Sequence, residues 1–184
     1  TGPTYASVFT KINKGMDAKL AVKKVHEDFG FNTAGCGPAH RATPLAGFTN
    51  ISTHELVSLA RQEAKITHYH DDAGNGSAIV ILICRYLLEG NSYQDAQKLI
   101  SKNVELKESW TKITKASLNP DGYIFNVIHS ALHFIDNNKS IEWMLESGCR
   151  VQNLLTKGSL NHLEHQLKKT PREHFEDISK IIQS

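Results

Sequence analysis

The sequence predicts an all-α fold, and three observations carry that reading. Ser, Thr or Asp residues recur ahead of apolar stripes, where they can cap a helix start. Glycine or proline falls where those stripes stop. Alternating apolar and polar runs of the strand type are scarce.

From Thr4 to Asn13, Tyr5, Val8, Phe9 and Ile12 make one apolar helical face, and Gly15 ends it. Asp17 caps a second helix with Leu20, Val22, Val25 and Phe29 on one side and Gly30 as its stop. Phe31 to Phe48 carries Gly35, Gly37, Pro38, Pro44 and Gly47, too many breakers for a regular element, although Ala39–Ala42 can begin a short turn of helix. Ser52-Thr-His-Glu55 is a capping box ahead of a stripe of Leu56, Leu59 and Ala60, giving a helix to about Lys65. Ser77 to Glu89 is apolar nearly all round, which places it at the centre of a bundle with Gly90 as its stop. Ser92-Tyr-Gln-Asp95 opens another helix, and Val104 to Ser117 continues helical. After a turn at Asn119-Pro-Asp-Gly122, Tyr123 to Ile135 aligns Phe125, Ile128, Leu132 and Ile135. Ile141–Leu155 and Pro171–Ile182 complete the set, Pro171 suiting a first helical turn where its missing N–H is no loss. No repeat, heptad run or linker divides the chain, so residues 1–184 read as a single domain.

Composition narrows the function. The 184 residues, 40% hydrophobic, are enough to bury one core. Lys and Arg number 21 against 19 Asp and Glu and are spread along the chain, which argues against nucleic acid as a partner. The most apolar run, Ala78 to Cys84, is far short of the roughly 20 residues of a membrane span. Cys36, Cys84 and Cys149 are widely separated and never form a CxxC pair, so neither a disulfide scaffold nor a zinc site is expected and a reducing, intracellular compartment fits. The cytoplasm is the default, with an organelle left open.

Two Gly-rich, His-bearing stretches carry the chemistry: Asn32-Thr-Ala-Gly-Cys-Gly-Pro-Ala-His-Arg-Ala-Thr-Pro-Leu45 and Thr67-His-Tyr-His-Asp-Asp-Ala-Gly-Asn-Gly-Ser-Ala78. Small residues leave backbone N–H groups open to an anionic ligand, and neutral imidazole offers both a donor and an acceptor. The histidines before the buried helix either bind a ligand or brace the loop, and Gly35 and Gly37 on their own read first as turn residues. Cys36 has no base beside it in sequence, which favours an inert thiol over a reactive one. His129 and His133 stand at i and i+4 but lack the Glu of an HExxH site, which favours a half-buried polar rim over a metal grip. His162, His165 and His174 read as a solvated face, and Asp72 as a helix cap or a charge complement to a helix start.

These stretches resemble the middle of the ADP-ribosylglycohydrolase family, all-helical hydrolases that also gave rise to the jellyfish J-crystallins. Gly35-Cys-Gly37 followed by His40-Arg41 and Pro44-Leu45 resembles the family's Gly-Asn-Gly-small-small-Met-Arg-x-x-Pro-Leu-Gly motif, with Cys36 in place of Asn and His40 in place of Met. Thr67, His68 and His70, with Ala73, Gly74, Gly76, Ser77 and Ala78 after them, match the Thr-His-small pattern that lines the family's ADP-ribose cleft. The resemblance implies an orthogonal helical bundle of the ADP-ribosylglycohydrolase type and a ligand site drawn from Gly35, Cys36, Gly37, His68 and His70. It extends from Thr1 to Glu146, leaving 147–184 diverged.

An active member of this family holds two Mg²⁺ or Mn²⁺ ions on a Thr-Asp-Asp motif near its N-terminus and a Gly-Gly-Asp-x-Asp-Thr motif near its C-terminus. Neither stands in this sequence. Thr1-Gly-Pro-Thr-Tyr-Ala resembles the segment that follows the first motif, as though the chain were truncated there. Tyr123 to His133 and Ser140-Ile-Glu142 resemble the lead-in to the second, whose register falls near Gln152–Lys157, where Leu154 and Leu155 cannot supply the oxygen ligands of a hard cation. The resemblance therefore leaves the catalytic residues unassigned and implies no metal residue in this chain and no cofactor unless the acidic motifs are supplied elsewhere, Mg²⁺ or Mn²⁺ in that case. The expected function is that of a degenerate relative, binding an ADP-ribose-like small molecule or ADP-ribosylated protein, or serving in a larger protein assembly. The alternatives are an active metal-dependent hydrolase with ligands outside this chain, and a helical interaction module.

Overall fold

Several helix starts are set by side-chain caps that the sequence places. In the computed structural model, which describes residues 2–115, 118, 119 and 121–136, Asp17 accepts from the Leu20 N–H to open α2 (Ala18–Asp28) after α1 (Pro3–Asn13). Ser52 and Glu55 form both halves of the capping box at the head of α4 (Thr53–Ala64), satisfying two orphan donors reciprocally. Gly15, Gly30 and Gly90 follow helix ends with left-handed backbone.

Phe31–Phe48 is more regular than its breakers predict. It folds as α3 (Gly37–Arg41) and a 3-10 turn, Thr43–Gly47, because Pro38 and Pro44 sit in the first turn of each, where a missing N–H costs nothing. A second correction concerns α5 (Asp71–Leu88), which starts six residues before Ser77, so Gly74 and Gly76 lie inside a helix. Tertiary packing overrides propensity here. A methyl group on Gly74 would sit 3.1 Å from Arg61 Cα, and one on Gly76 would sit 2.7 Å from Ile124, so both glycines let a neighbouring element approach closely. Asn103–Leu106 interrupts the remaining helical stretch, giving α6 (Tyr93–Lys102) and α7 (Lys107–Lys115), and α8 (Ile124–Asp136) follows.

Among the described residues there are these eight α-helices and the 3-10 turn, with one isolated bridge, Gly35 to Tyr123, and no strand. The central helix is α5, whose Ala78, Ile79, Ile81 and Leu82 are fully buried against Leu56, Val57, Ile100, Ile113, Ile124 and Phe125. Each of these side chains larger than alanine contributes about 1.5–3 kcal/mol by leaving water. Arg85 interrupts this apolar run yet is buried, its guanidinium donating to the carbonyls of Ala46, Phe48 and Ile51 and so anchoring the 3-10 turn to α5. Val8, Ala21, Val22 and Val25 form a separate small cluster between α1 and α2. Leu20 is not part of it, being 56% exposed while Ala21 takes the inward position, and Ile135 is likewise 43% exposed. Chain contacts divide the protein into two units, residues 1–133 and 134–184, and the core belongs to the first. No helix among the described residues is long and apolar enough to cross a membrane. The helices expected at 141–155 and 171–182, and His162, His165, His174 and Cys149, lie outside the described residues.

Candidate functional site

Past α2 the chain turns through Gly30 and Phe31, both at positive φ, and the Thr33 hydroxyl is hydrogen-bonded to His26 Nδ1 at 2.7 Å. Ala34 to Cys36 then runs alongside Gly122 to Ile124. The Cys36 N–H donates to the Gly122 carbonyl at 3.2 Å and the Ile124 N–H to the Ala34 carbonyl at 2.9 Å. That short pairing brings the start of α8 beside the start of α3. A cleft of about 820 Å³ opens there, walled by Gly2–Tyr5 of α1, by Asn32 and by Asp121–Tyr123, with Gly35, Cys36, Gly37, Arg41 and His68 lining it.

His68 is the most constrained of these groups. Its ring lies against both glycines, so that a Cβ at Gly35 would stand 3.1 Å from Nε2 and one at Gly37 would stand 3.2 Å from Cε1. Any larger residue at either position would crowd the imidazole. Nδ1 is 2.8 Å from the Thr67 hydroxyl, which in turn receives Arg41 Nη1 at 2.6 Å. Arg41 is fixed by Glu63, whose carboxylate takes Nε and whose carbonyl takes Nη2 at 3.0 Å.

Burial, and then the positive charge of Arg41, hold the His68 pKa down to about 4, so the ring is neutral at physiological pH. Burial also pushes the Cys36 thiol up, leaving it protonated and a poor nucleophile. Tyr123 is raised as well, first by burial and then by its hydrogen bond to Asp72 Oδ2 at 2.7 Å. Its phenol stays a donor, and it ties the start of α8 to the start of α5.

The structure thus brings Gly35, Cys36, Gly37 and His68 into one cleft, while His70 stands apart from it. The His70 Nδ1 accepts from the Asp72 N–H at 3.1 Å and caps α5, and the ring lines a smaller pocket with Arg61, Lys65, Asp71, Gly74 and Asn75. Asp71 and Asp72 occupy the first turn of α5, where a carboxylate complements the helix dipole. On α8, His129 is half-buried and His133 exposed.

A two-metal centre does not fit the described residues, among which no three His, Cys, Asp or Glu side chains gather closely enough to hold an ion. The acids nearest the cleft are otherwise engaged. Asp72 accepts from Tyr123, and the Asp121 carboxylate accepts from Asn119, Asn126 and the Tyr123 N–H. Glu63 and its link through Arg41 to Thr67 were not foreseeable from spacing. Arg41 needs an acid if it is part-buried, but nothing in the sequence singles out Glu63 among 19 carboxylates.

Fold and cleft define an all-α protein with a glycine-lined cleft between helix termini. The chain belongs to the ADP-ribosylglycohydrolase family, whose model matches residues 1–152. That span runs a few residues past Glu146, where the resemblance of the motifs ends. No solved structure matches the chain at a significant level.

Proposed function

We propose that this protein is a degenerate ADP-ribosylglycohydrolase relative that binds an ADP-ribose-like ligand in the cleft without hydrolysing it through metal ions. The observation that supports this most is His68, neutral and buried, with its ring edge between Gly35 and Gly37 in the cleft. A pyrophosphate or ribose oxygen needs fixed N–H donors on a surface no side chain obstructs, and the glycines and the imidazole together offer that. Among the described residues no three His, Cys, Asp or Glu side chains gather to hold Mg²⁺ or Mn²⁺, which is why no attack at the anomeric carbon is routed through metal ions in this reading.

Thermal unfolding with ADP-ribose, in the presence and absence of Mg²⁺, tests the reading. Ligand at a hundredfold excess over its Kd stabilises the folded state by about 2.7 kcal/mol, a rise in Tm of several degrees. The expected rise is the same with and without metal and is lost in His68→Ala. A rise that requires Mg²⁺ would instead favour an active hydrolase, and no rise at all would favour a structural role in an assembly.

A further inference from the structure

We propose that Glu63, Arg41 and Thr67 are positioning residues that lock His68 in the tautomer protonated at Nε2, so that the cleft presents a fixed hydrogen-bond donor and selects an oxygen acceptor. The proposal concerns the protein before any ligand arrives. Only the identity of the acceptor, a phosphate or sugar oxygen, rests on the reading above.

Counting hydrogens leads to the tautomer. A threonine hydroxyl has one hydrogen to give and two lone pairs to receive with. Arg41 Nη1 can only donate, so the 2.6 Å contact with Thr67 Oγ1 consumes one lone pair. Thr67 is buried, and its hydroxyl's other partner among the described residues is His68 Nδ1 at 2.8 Å. If Nδ1 carried the ring proton, the hydroxyl hydrogen would be left buried with no acceptor, and an unmade buried hydrogen bond is the costlier arrangement. With Nδ1 bare, every hydrogen in the chain is used: guanidinium to hydroxyl, hydroxyl to imidazole. The remaining proton of the neutral ring then sits on Nε2.

The rest of the geometry enforces that direction. Glu63 holds Arg41 at Nε through its carboxylate and at Nη2 through its carbonyl, so the planar guanidinium cannot turn away from Thr67. Lysine, with a single nitrogen, cannot reproduce three fixed bonds. Nε2 has no hydrogen-bond partner within the described residues, although His68 is only 4% exposed. An unpartnered donor on the cleft side of this otherwise buried ring, beside Gly35, is placed for a ligand oxygen. It also follows that His68 does not begin as a general base toward the cleft, since Nε2 already bears its proton.

Long-range ¹H–¹⁵N correlation of the ¹⁵N-labelled chain, recorded without ligand at neutral pH, reads the tautomer directly. The expected spectrum has a protonated, pyrrole-like Nε2 and a bare, pyridine-like Nδ1 for His68. Thr67→Val, which keeps the shape and removes the hydroxyl, shifts both nitrogens toward the averaged values of mixed tautomers, Arg41→Lys does the same in part, and Thr67→Ser restores the native pattern. A native His68 protonated at Nδ1, or a Thr67→Val spectrum unchanged from native, overturns the proposal. Should Thr67→Val fail to fold, the native spectrum and Thr67→Ser still decide it. Adding ADP-ribose separates the two readings: an unperturbed Nε2 with the expected tautomer in place counts against that ligand while leaving the locked tautomer standing.

Discussion

Neutral His68 gives the fold a pH signature. In the unfolded chain its pKa returns to the ordinary 6.5, whereas the folded site holds it near 4. Between those values the unfolded state takes up a proton that the folded state refuses, so stability is complete above pH 6.5 and falls as the pH drops toward 4. The full span amounts to about 3 kcal/mol. His26 is lowered too, by burial first and then by His70, and pulls in the same direction. Urea unfolding of the native chain and of His68→Gln across this range separates the two contributions. The native curve should lose more stability on acidification than the variant, and parallel curves would mean that His68 is accessible to protons in the fold. Gly35, Cys36, Gly37 and His68 were legible in sequence as small residues around a histidine, whereas the part of the cleft made by the start of α1 and by Asp121–Tyr123 was not. The tautomer was not, because it depends on Arg41 and Glu63, which lie 22 residues apart and meet only when α3 packs beside α4.

Most helix boundaries follow from local chemistry and could be read from Asp17, Ser52, Glu55 and Ser92, whose side chains bond the N–H groups the sequence assigns them. The start of α5 could not, since each glycine in a helix costs about 1 kcal/mol against alanine and Gly74 and Gly76 together argue for a loop. Two residues apart on a helix is about 200° around its axis, so these glycines face opposite sides. One admits the backbone of α4 at Arg61, and the other admits Ile124 at the head of α8. Gly76→Ala should therefore destabilise despite its better helix propensity. The added methyl at 2.7 Å from the buried Ile124 forces repacking that typically costs about 1–3 kcal/mol, against roughly 1 kcal/mol gained. Ile124→Ala removes both opposing atoms, Cγ1 and Cδ1, so in that background the same substitution should cost less. Urea midpoints for the four members of this cycle measure the coupling; strictly additive values would show that α5 and α8 do not press on each other at this point.

Two apolar clusters of unequal size make up the first unit, and the cleft draws on both. The large one gathers α4 to α8 around α5, while α1 and α2 enclose only Val8, Ala21, Val22 and Val25, with Ile12, Met16 and Phe29 at its edge. Polar and ring contacts reinforce the small cluster's attachment: the hydrogen bond from His26 to Thr33, and the His26 ring against Phe31, Tyr69 and His70 at 5.2–6.0 Å. So few buried apolar groups cannot give α1 and α2 the resistance to opening that α5 enjoys. Native-state hydrogen exchange should show amides of α1 and α2 exchanging through an opening of lower free energy than the global unfolding that releases Ile79, Ile81 and Leu82. Because Gly2–Tyr5 and Phe29 line the same cleft as Gly35, Gly37 and His68, a ligand that touches both sets holds the two clusters together. ADP-ribose should then slow exchange in α1 and α2 by a larger factor than in α5, since binding adds its free energy to openings that disrupt the site. Equal protection in all helices without ligand would refute the two-level stability, and unchanged exchange of α1 in its presence would mean that ADP-ribose does not bridge the cleft.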